Sequence, residues 1–157
     1  MHIRKGKPED MPAVLQLIKE LAVFENEPDA VVITANDLVR DGFGTQPLFE
    51  TFVAEKNNAI IGVALFYYRY STWKGKTIHL EDLIVNQAHR GIGAGSGLYK
   101  AVIAHAKKQG LRRVEWAVLD WNTHAVDFYK RSGARVFDDW RTVQMDETGI
   151  ANFAATL

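Results

Sequence analysis

The sequence contains no cysteine, which excludes disulfide bonds, thiolate zinc sites and a cysteine nucleophile. It has no surplus of either charge, because 19 Lys and Arg residues balance 19 Asp and Glu residues. This balance gives no indication of a nucleic-acid or anionic membrane partner. The longest mostly apolar run, residues 59–68, is too short to span a bilayer, and the first residues lack a signal-peptide core. We therefore expect a cytoplasmic protein. Its five histidines show no metal-ligand spacing, so we expect no metal site.

The order of predicted elements indicates the fold class. The 157 residues are enough for one domain, and no linker or repeat divides them. Helical and alternating apolar patterns predict the order β-α-α-β-β-β-α-β-α-β-β, with the last two strands at residues 135–137 and 140–145. This order favours an α/β protein, a single domain over residues 1–157, whose mixed sheet carries helices on both faces.

Short local signals support several of these elements. Thr34 and Asp37 have the spacing of a capping box at the start of a helix. Asn57 and Asn58 separate two apolar stretches and predict a hairpin turn. We also predict strands at residues 77–85 and 112–119.

A glycine-rich turn, Arg90-Gly-Ile-Gly-Ala-Gly95, lies between a predicted strand and a predicted helix. Glycines let the main chain approach an anion, and the helix N-terminus attracts phosphate groups. The spacing does not fit a dinucleotide fingerprint, and Gly75-Lys76-Thr77 lacks the first glycine of a P-loop. The turn therefore predicts a pyrophosphate site of another kind. The alternative is a tight turn without a ligand.

The pattern R-x-x-G-x-G after a strand resembles the coenzyme A signature of the GNAT acetyltransferase superfamily. Residues 17–22, 41–44, 80–82 and 121–134 are similar to its diamine branch, which contains spermidine/spermine and thialysine acetyltransferases. The resemblance implies a GNAT fold with about seven mostly antiparallel strands, splayed central strands and four helices. It also implies a homodimeric, acetyl-CoA-dependent N-acetyltransferase that acts on a primary amine of a small cationic acceptor, a polyamine or diamine.

The resemblance assigns acetyl-CoA to the strand before the turn, to the turn itself and to the helix after Asn122. Tyr129 is expected to protonate the departing thiolate, which is chemically sensible because a phenol titrates near 10 and a thiol near about 8.5. The alternative for Tyr129 is packing at a helix end. The implied acetyl-CoA-binding residues are Leu83, Ile84, Val85, Arg90, Gly91, Ile92, Gly93, Ala94, Gly95, Ser96, Asn122, Phe128, Tyr129 and Arg131.

A cationic acceptor requires carboxylates to attract it and a group that removes its proton. The resemblance implies Glu25, Glu81 and Asp82 as the candidates, with Glu81 as the base through water and Glu25 as the alternative base. Two adjacent acids in an apolar strand cost free energy unless they are paired or functional. Strand alternation would send Glu81 and Asp82 to opposite faces, so we predict a β-bulge between Glu81 and Ile84. The implied acceptor-binding residues are Phe24, Glu25, Glu81, Asp82 and Trp121.

Departures from the diamine branch leave the acceptor open. Phe24 stands where that branch often has tyrosine, and the acidic segment before Trp140 is shorter. The alternatives are an acetyltransferase for thialysine or other lysine-like amino acids, a protein-lysine acetyltransferase, or a non-catalytic acyl-CoA-binding module. A group of aromatic residues is interpreted as part of the acceptor tunnel wall and of a subunit interface: Tyr67, Tyr68, Tyr70 and Trp73.

Overall fold

The structure is a computed structural model that describes residues 1–156. The chain falls into two compact units, Met1–Ala117 and Val118–Leu157. The first unit contains a mixed five-stranded sheet and three α-helices. Its strands are β1 (His2–Lys5), β2 (Glu50–Lys56), β3 (Ala59–Ser71), β4 (Gly75–Val85) and β5 (Val114–Glu115). Its helices are α1 (Met11–Phe24), α2 (Ala35–Phe43) and α3 (Ala94–Lys108).

The sheet has the strand order β1-β2-β3-β4-β5. The first four strands pair antiparallel, and β5 pairs parallel to β4 only at Ile78–Val114 and His79–Glu115. Beyond His79, β4 has no strand partner on that side among residues 1–156. β5 ends at Glu115, so the end of β4 is unpaired on that side within the described part of the chain. Main-chain groups at the end of β4 are left available for other partners.

Helices cover both faces of the sheet, which confirms the expected layering. On one face, α1 and α2 pack on Val53, Val63 and Ile84 to form a buried core. On the opposite face, α3 packs against β2, β3 and β4. The buried apolar positions of α3 are Leu98, Tyr99 and Val102, at the spacing of one helix face.

Local sequence signals agree with the structure. Thr34 Oγ1 accepts a hydrogen bond from the Asp37 amide at 3.2 Å, and the Asp37 carboxylate accepts one from the Thr34 amide at 2.9 Å. Asn57 and Asn58 both adopt positive φ, at 52° and 61°, in the hairpin between β2 and β3. Among the described residues, no helix is long and apolar enough to cross a membrane.

The second unit contains two helices, α4 (Thr123–Arg131) and α5 (Glu147–Ala154). The predicted strands at residues 135–137 and 140–145 are wrong, because neither segment is a strand in the structure. A segment with strand propensity forms a strand only when a neighbouring strand supplies hydrogen bonds. These segments have no such neighbour among residues 1–156. The sheet therefore has five strands rather than seven. Residues 1–156 contain five α-helices rather than the expected four, since α5 was not predicted.

Candidate active site

The glycine-rich turn places main-chain groups at the start of α3. Gly91 and Gly93 adopt φ of 79° and 83°, a left-handed conformation that favours glycine. Gly93 is the N-cap of α3, and no side chain caps the helix there. A Cβ atom at either glycine would meet nothing within 4 Å, so the space beside the turn is open. The uncapped amides and the helix dipole favour binding of an anion.

The side chain of Arg90, the first residue of this turn, contacts the end of α1. Its Nε donates a hydrogen bond to the Val85 carbonyl at 3.2 Å. Its guanidinium also lies over the Phe24 ring, 5.5 Å from the centroid. Within residues 1–156, no carboxylate lies at ion-pair distance from Arg90. Its positive charge is thus available to a bound phosphate.

A β-bulge brings two acidic residues to the same face of β4. Leu65 of β3 lies opposite Asp82, whereas the next residue, Phe66, lies opposite Leu80. Glu81 is the additional residue, so the bulge occurs at the first position of the predicted interval. A Glu81 carboxylate oxygen lies 3.5 Å from His79 Nε2, and Asp82 shares its face with Ile84, which packs against α1 and α2. Both carboxylates therefore lie on the side of the sheet that α1 and α2 cover.

Two neighbouring carboxylates act on a third, buried one at this site. Burial, together with the negative charges of Glu81 and Glu25, raises the pKa of Asp82 to about 6. Burial also raises the pKa of Glu25, at the C-terminal end of α1. The charges of Glu25 and Glu81 both act on the titration of Asp82, so these three predicted acceptor residues lie near one another. The combined negative charge suits a cation.

Tyr67 and His79 complete the polar surface of this face. Their rings lie 5.2 Å apart, with a tilt of 33°. Burial raises the pKa of Tyr67, and the charge of Glu81 and a hydrogen bond with it act in the same direction. No role was predicted for His79 from the sequence. Its spacing of two residues from Glu81 indicates that both side chains lie on one strand face, and this spacing was the available evidence.

The other predicted aromatic residues lie elsewhere. Tyr68 points to the opposite face, where its hydroxyl lies 2.8 Å from His105 Nε2. Tyr70 and Trp73 are 78% and 77% exposed near the turn between β3 and β4. Only Tyr67 of this group lies beside the acidic residues. Tyr67 and Tyr68 both line a pocket of about 480 Å³, together with Phe43, Leu48 and Phe49.

In the second unit, the predicted residues lie on α4 and the segment before it. Asn122 is the N-cap of α4, and its side chain accepts a hydrogen bond from the Ala125 amide at 3.3 Å. Tyr129 is buried, and the Phe128 ring contacts it edge-on at 5.4 Å. The Tyr129 carbonyl accepts a hydrogen bond from Ser132 Oγ at 2.6 Å. Trp121 and Arg131 are exposed.

The described residues contain no group of three or more His, Asp or Glu side chains positioned to hold a metal ion. The first unit carries two features that can bind charged groups, a main-chain anion site at the start of α3 and an acidic face on β4.

Comparisons with known proteins agree with this geometry. Residues 13–134 match the family model described as "Acetyltransferase (GNAT) family". The chain is 42% identical over 141 residues to thialysine N-epsilon-acetyltransferase from Bos taurus, covering 85% of this chain and 83% of that protein. It is 39% identical over 139 residues to human spermidine/spermine N(1)-acetyltransferase-like protein 1, covering 84% of this chain and 20% of that protein.

A solved structure matches the fold over nearly the whole chain. An integron cassette protein from the mobile metagenome of V. cholerae superposes with a TM-score of 0.79 at 20% identity. The match covers 98% of this chain and 96% of that one. At this identity, the likeness concerns the fold alone.

Proposed function

The chain belongs to the GNAT acetyltransferase family and is an N-acetyltransferase, and from that premise we propose that it acetylates a primary amine of a small cationic acceptor, a diamine or polyamine. GNAT acetyltransferases use acetyl-CoA as the acetyl donor. The observation that carries the proposal is the bulge at Glu81. It gives one strand two carboxylates on one face, a few residues before the glycine-rich turn.

We assign the pyrophosphate of acetyl-CoA to the amides of residues 90–96, with Arg90 as its charge partner. The positive φ of Gly91 and Gly93 and the uncapped start of α3 support this assignment. The main-chain groups of Leu83, Ile84 and Val85 on the side away from β3 are assigned to the pantetheine arm. The lack of a strand partner for β4 beyond His79 on that side, among residues 1–156, supports this part of the proposal.

The acceptor ammonium is assigned to the face that carries Glu25, Glu81 and Asp82. A primary amine has a pKa near 10, so it arrives protonated and is attracted by these carboxylates. Phe24 is assigned to the acceptor side as well. Its ring contacts the Arg90 guanidinium, so it lies between the acceptor side and the glycine-rich turn.

In the proposed reaction, Glu81 takes one proton from the ammonium through water. The neutral amine then attacks the thioester carbon directly, and a main-chain amide near Leu83 stabilises the oxyanion of the tetrahedral intermediate. The C–S bond breaks as this intermediate collapses, and Tyr129 gives a proton to the thiolate of coenzyme A. The acetyl group passes to the amine without an acetyl-enzyme intermediate.

A lysine-like amino acid is the second candidate acceptor. The 42% identity to a thialysine acetyltransferase favours it, because that similarity extends over 83% of the relative. The experiment measures release of free thiol from acetyl-CoA against a panel of polyamines, diamines, thialysine, lysine and ornithine. Faster turnover of the polyamines supports the first candidate, and faster turnover of the amino acids supports the second. No thiol release with any amine would contradict both.

Three further features are also proposals. We propose that residues 1–157 act as one GNAT domain, since the family match runs from 13 to 134 and includes parts of both units.

We propose a homodimer, and the exposed Tyr70 and Trp73 support a contact with a second copy. Sedimentation at several protein concentrations tests the dimer. We propose a cytoplasmic location, which agrees with a chain that has no cysteine.

A further inference from the structure

His79 faces the acidic residues, and the proposed reaction leaves it without a role. It lies on β4, two residues before Glu81, and its side chain is 20% exposed. Its Nε2 lies 3.5 Å from a Glu81 carboxylate oxygen, while its Nδ1 is buried with no hydrogen-bond partner. A buried imidazole nitrogen without a partner requires an explanation, because nearly all buried polar groups are hydrogen-bonded.

The environment of Nδ1 indicates which ring nitrogen carries the proton. A neutral imidazole has one N–H donor and one bare acceptor nitrogen. An unpaired buried N–H is costlier and rarer than an unpaired acceptor, so the hydrogen belongs on Nε2. Glu115 lies opposite His79 on β5, but its two carboxylate oxygens are bound by Arg69 and Arg113. Glu115 is therefore engaged elsewhere and does not favour the other tautomer.

The ring orientation of His79 is also fixed. Tyr67 of β3 lies opposite His79 in the sheet register and packs against its ring at 5.2 Å. This contact restricts the plane of the ring, and Nε2 faces Glu81, which occupies the additional position of the bulge. The carboxylate of Glu81 is about half exposed and has a hydrogen bond with Tyr67, and His79 Nε2 is placed to add a second donor that restricts its rotamers. The 3.5 Å separation is longer than a formed hydrogen bond, and such contacts commonly shorten when a substrate binds.

We propose that His79 is a positioning residue whose Nε2–H holds the Glu81 carboxylate toward the acceptor. This inference rests on the proposed role of Glu81 as the base. With the carboxylate held, its oxygen lies where it takes the ammonium proton through water. Because Nδ1 is buried and unpartnered, the imidazole does not pass that proton onward. His79 acts by orientation alone.

Two substitutions separate orientation from general damage to the site. His79→Gln places an amide N–H near the position of Nε2, whereas His79→Asn places it near the position of Nδ1. We expect His79→Asn to lower kcat by about 10- to 100-fold, with an unchanged KM for acetyl-CoA, because misplacement of a catalytic group has effects of this size. We expect His79→Gln to restore most of the lost kcat. His2→Asn, at an exposed position on β1, is the matched control.

Equal kcat values for the Gln and Asn variants, whether both low or both normal, would overturn the proposal. A second measurement does not depend on turnover. In protein labelled with ¹⁵N-histidine, the imidazole of His79 is expected to show the Nε2–H tautomer by NMR, and the Nδ1–H tautomer would overturn the proposal. If the wild-type enzyme acetylates no amine, the proposed function fails, while the tautomer measurement still tests the role of His79 separately.

Discussion

The glycine-rich turn and the acidic face of β4 lie within sixteen residues of each other, at positions 81–96, yet they bind by different means. The turn presents main-chain amides. Gly91 and Gly93 have no side chain, which allows the positive φ that the turn requires. The acidic face presents carboxylates that interact through charge, burial and a bulge. A change in the turn should therefore alter affinity for acetyl-CoA. A change on the acidic face should alter the acceptor and the chemistry.

The largest expected effect comes from removing the proposed base. Glu81→Gln keeps the size of the side chain but cannot accept the ammonium proton. We expect kcat to fall by about 100-fold or more, since general base catalysis contributes about 10²- to 10⁴-fold. Calorimetry should show an unchanged affinity for acetyl-CoA, because the turn is untouched. Glu9→Gln, at an exposed position, is the control, and a normal kcat in Glu81→Gln would exclude Glu81 as the base.

A smaller but still clear effect is expected in the turn. Gly93→Val forces a β-branched residue into φ of 83°, which costs about 1–3 kcal/mol or displaces the amides. The Kd for acetyl-CoA should rise by about tenfold, with little change in the KM for the amine. Gly75→Val is the matched control, because Gly75 also has positive φ, at 77°, but is the first residue of β4, outside the glycine-rich turn. Similar losses of acetyl-CoA affinity in both variants would refute a specific role for the turn.

The pH dependence of the acidic face gives a third test. Below about pH 6, Asp82 takes up a proton and loses the charge that attracts an ammonium, so the KM of the acceptor should rise as the pH falls. Glu25→Gln removes one of the charges that raise this pKa, so the transition should move to lower pH. Acceptor KM values measured from pH 5 to 8 test both expectations. A KM that does not change across pH 6 in the wild type would contradict them.

The same raised pKa has a consequence for stability. Between about pH 4 and 6, the folded chain holds a proton on Asp82 that the unfolded chain has released. The contribution of Asp82 to the free energy of unfolding therefore falls as the pH rises through this window. Above it, the ionised group costs up to about 3 kcal/mol. Asp82→Asn should raise stability at pH 7.5, measured by urea unfolding.

The smallest effect is expected on the opposite face of the sheet. Tyr68→Phe removes the contact between the Tyr68 hydroxyl and His105, so the free energy of unfolding should fall by about 1 kcal/mol. The kinetic constants should not change. Tyr67→Phe, one residue away, removes a hydrogen bond to Glu81 and should raise the KM of the acceptor. If both variants behave alike, the two faces do not differ in function as proposed.

The two regions also differ in how well their structure could be predicted from the sequence. The turn follows from local rules, because glycines before a helix specify both the conformation and the open N-terminus. The capping box at Thr34 and the hairpin at Asn57–Asn58 were predictable for the same reason. The bulge was predicted only because two adjacent acids in a buried strand required an explanation. Its position at Glu81 depends on the pairing with β3.

Features that depend on distant partners were predicted poorly. Residues 140–145 have strand propensity, but Val143 is 93% exposed and the segment pairs with no strand within the described part of the chain. The strand expected at residues 112–119 is reduced to Val114–Glu115, because β4 pairs with it at only two positions. His79 was overlooked because its significance comes from Tyr67 on the neighbouring strand.

A crystal structure of the complex with coenzyme A tests the central claim most directly. We predict that pyrophosphate oxygens lie about 3 Å from main-chain amides of residues 91–96, with the Arg90 guanidinium beside them. The sulfur should lie near the end of β4, on the side away from β3. A pyrophosphate bound elsewhere, with these amides exposed to water, would contradict the account.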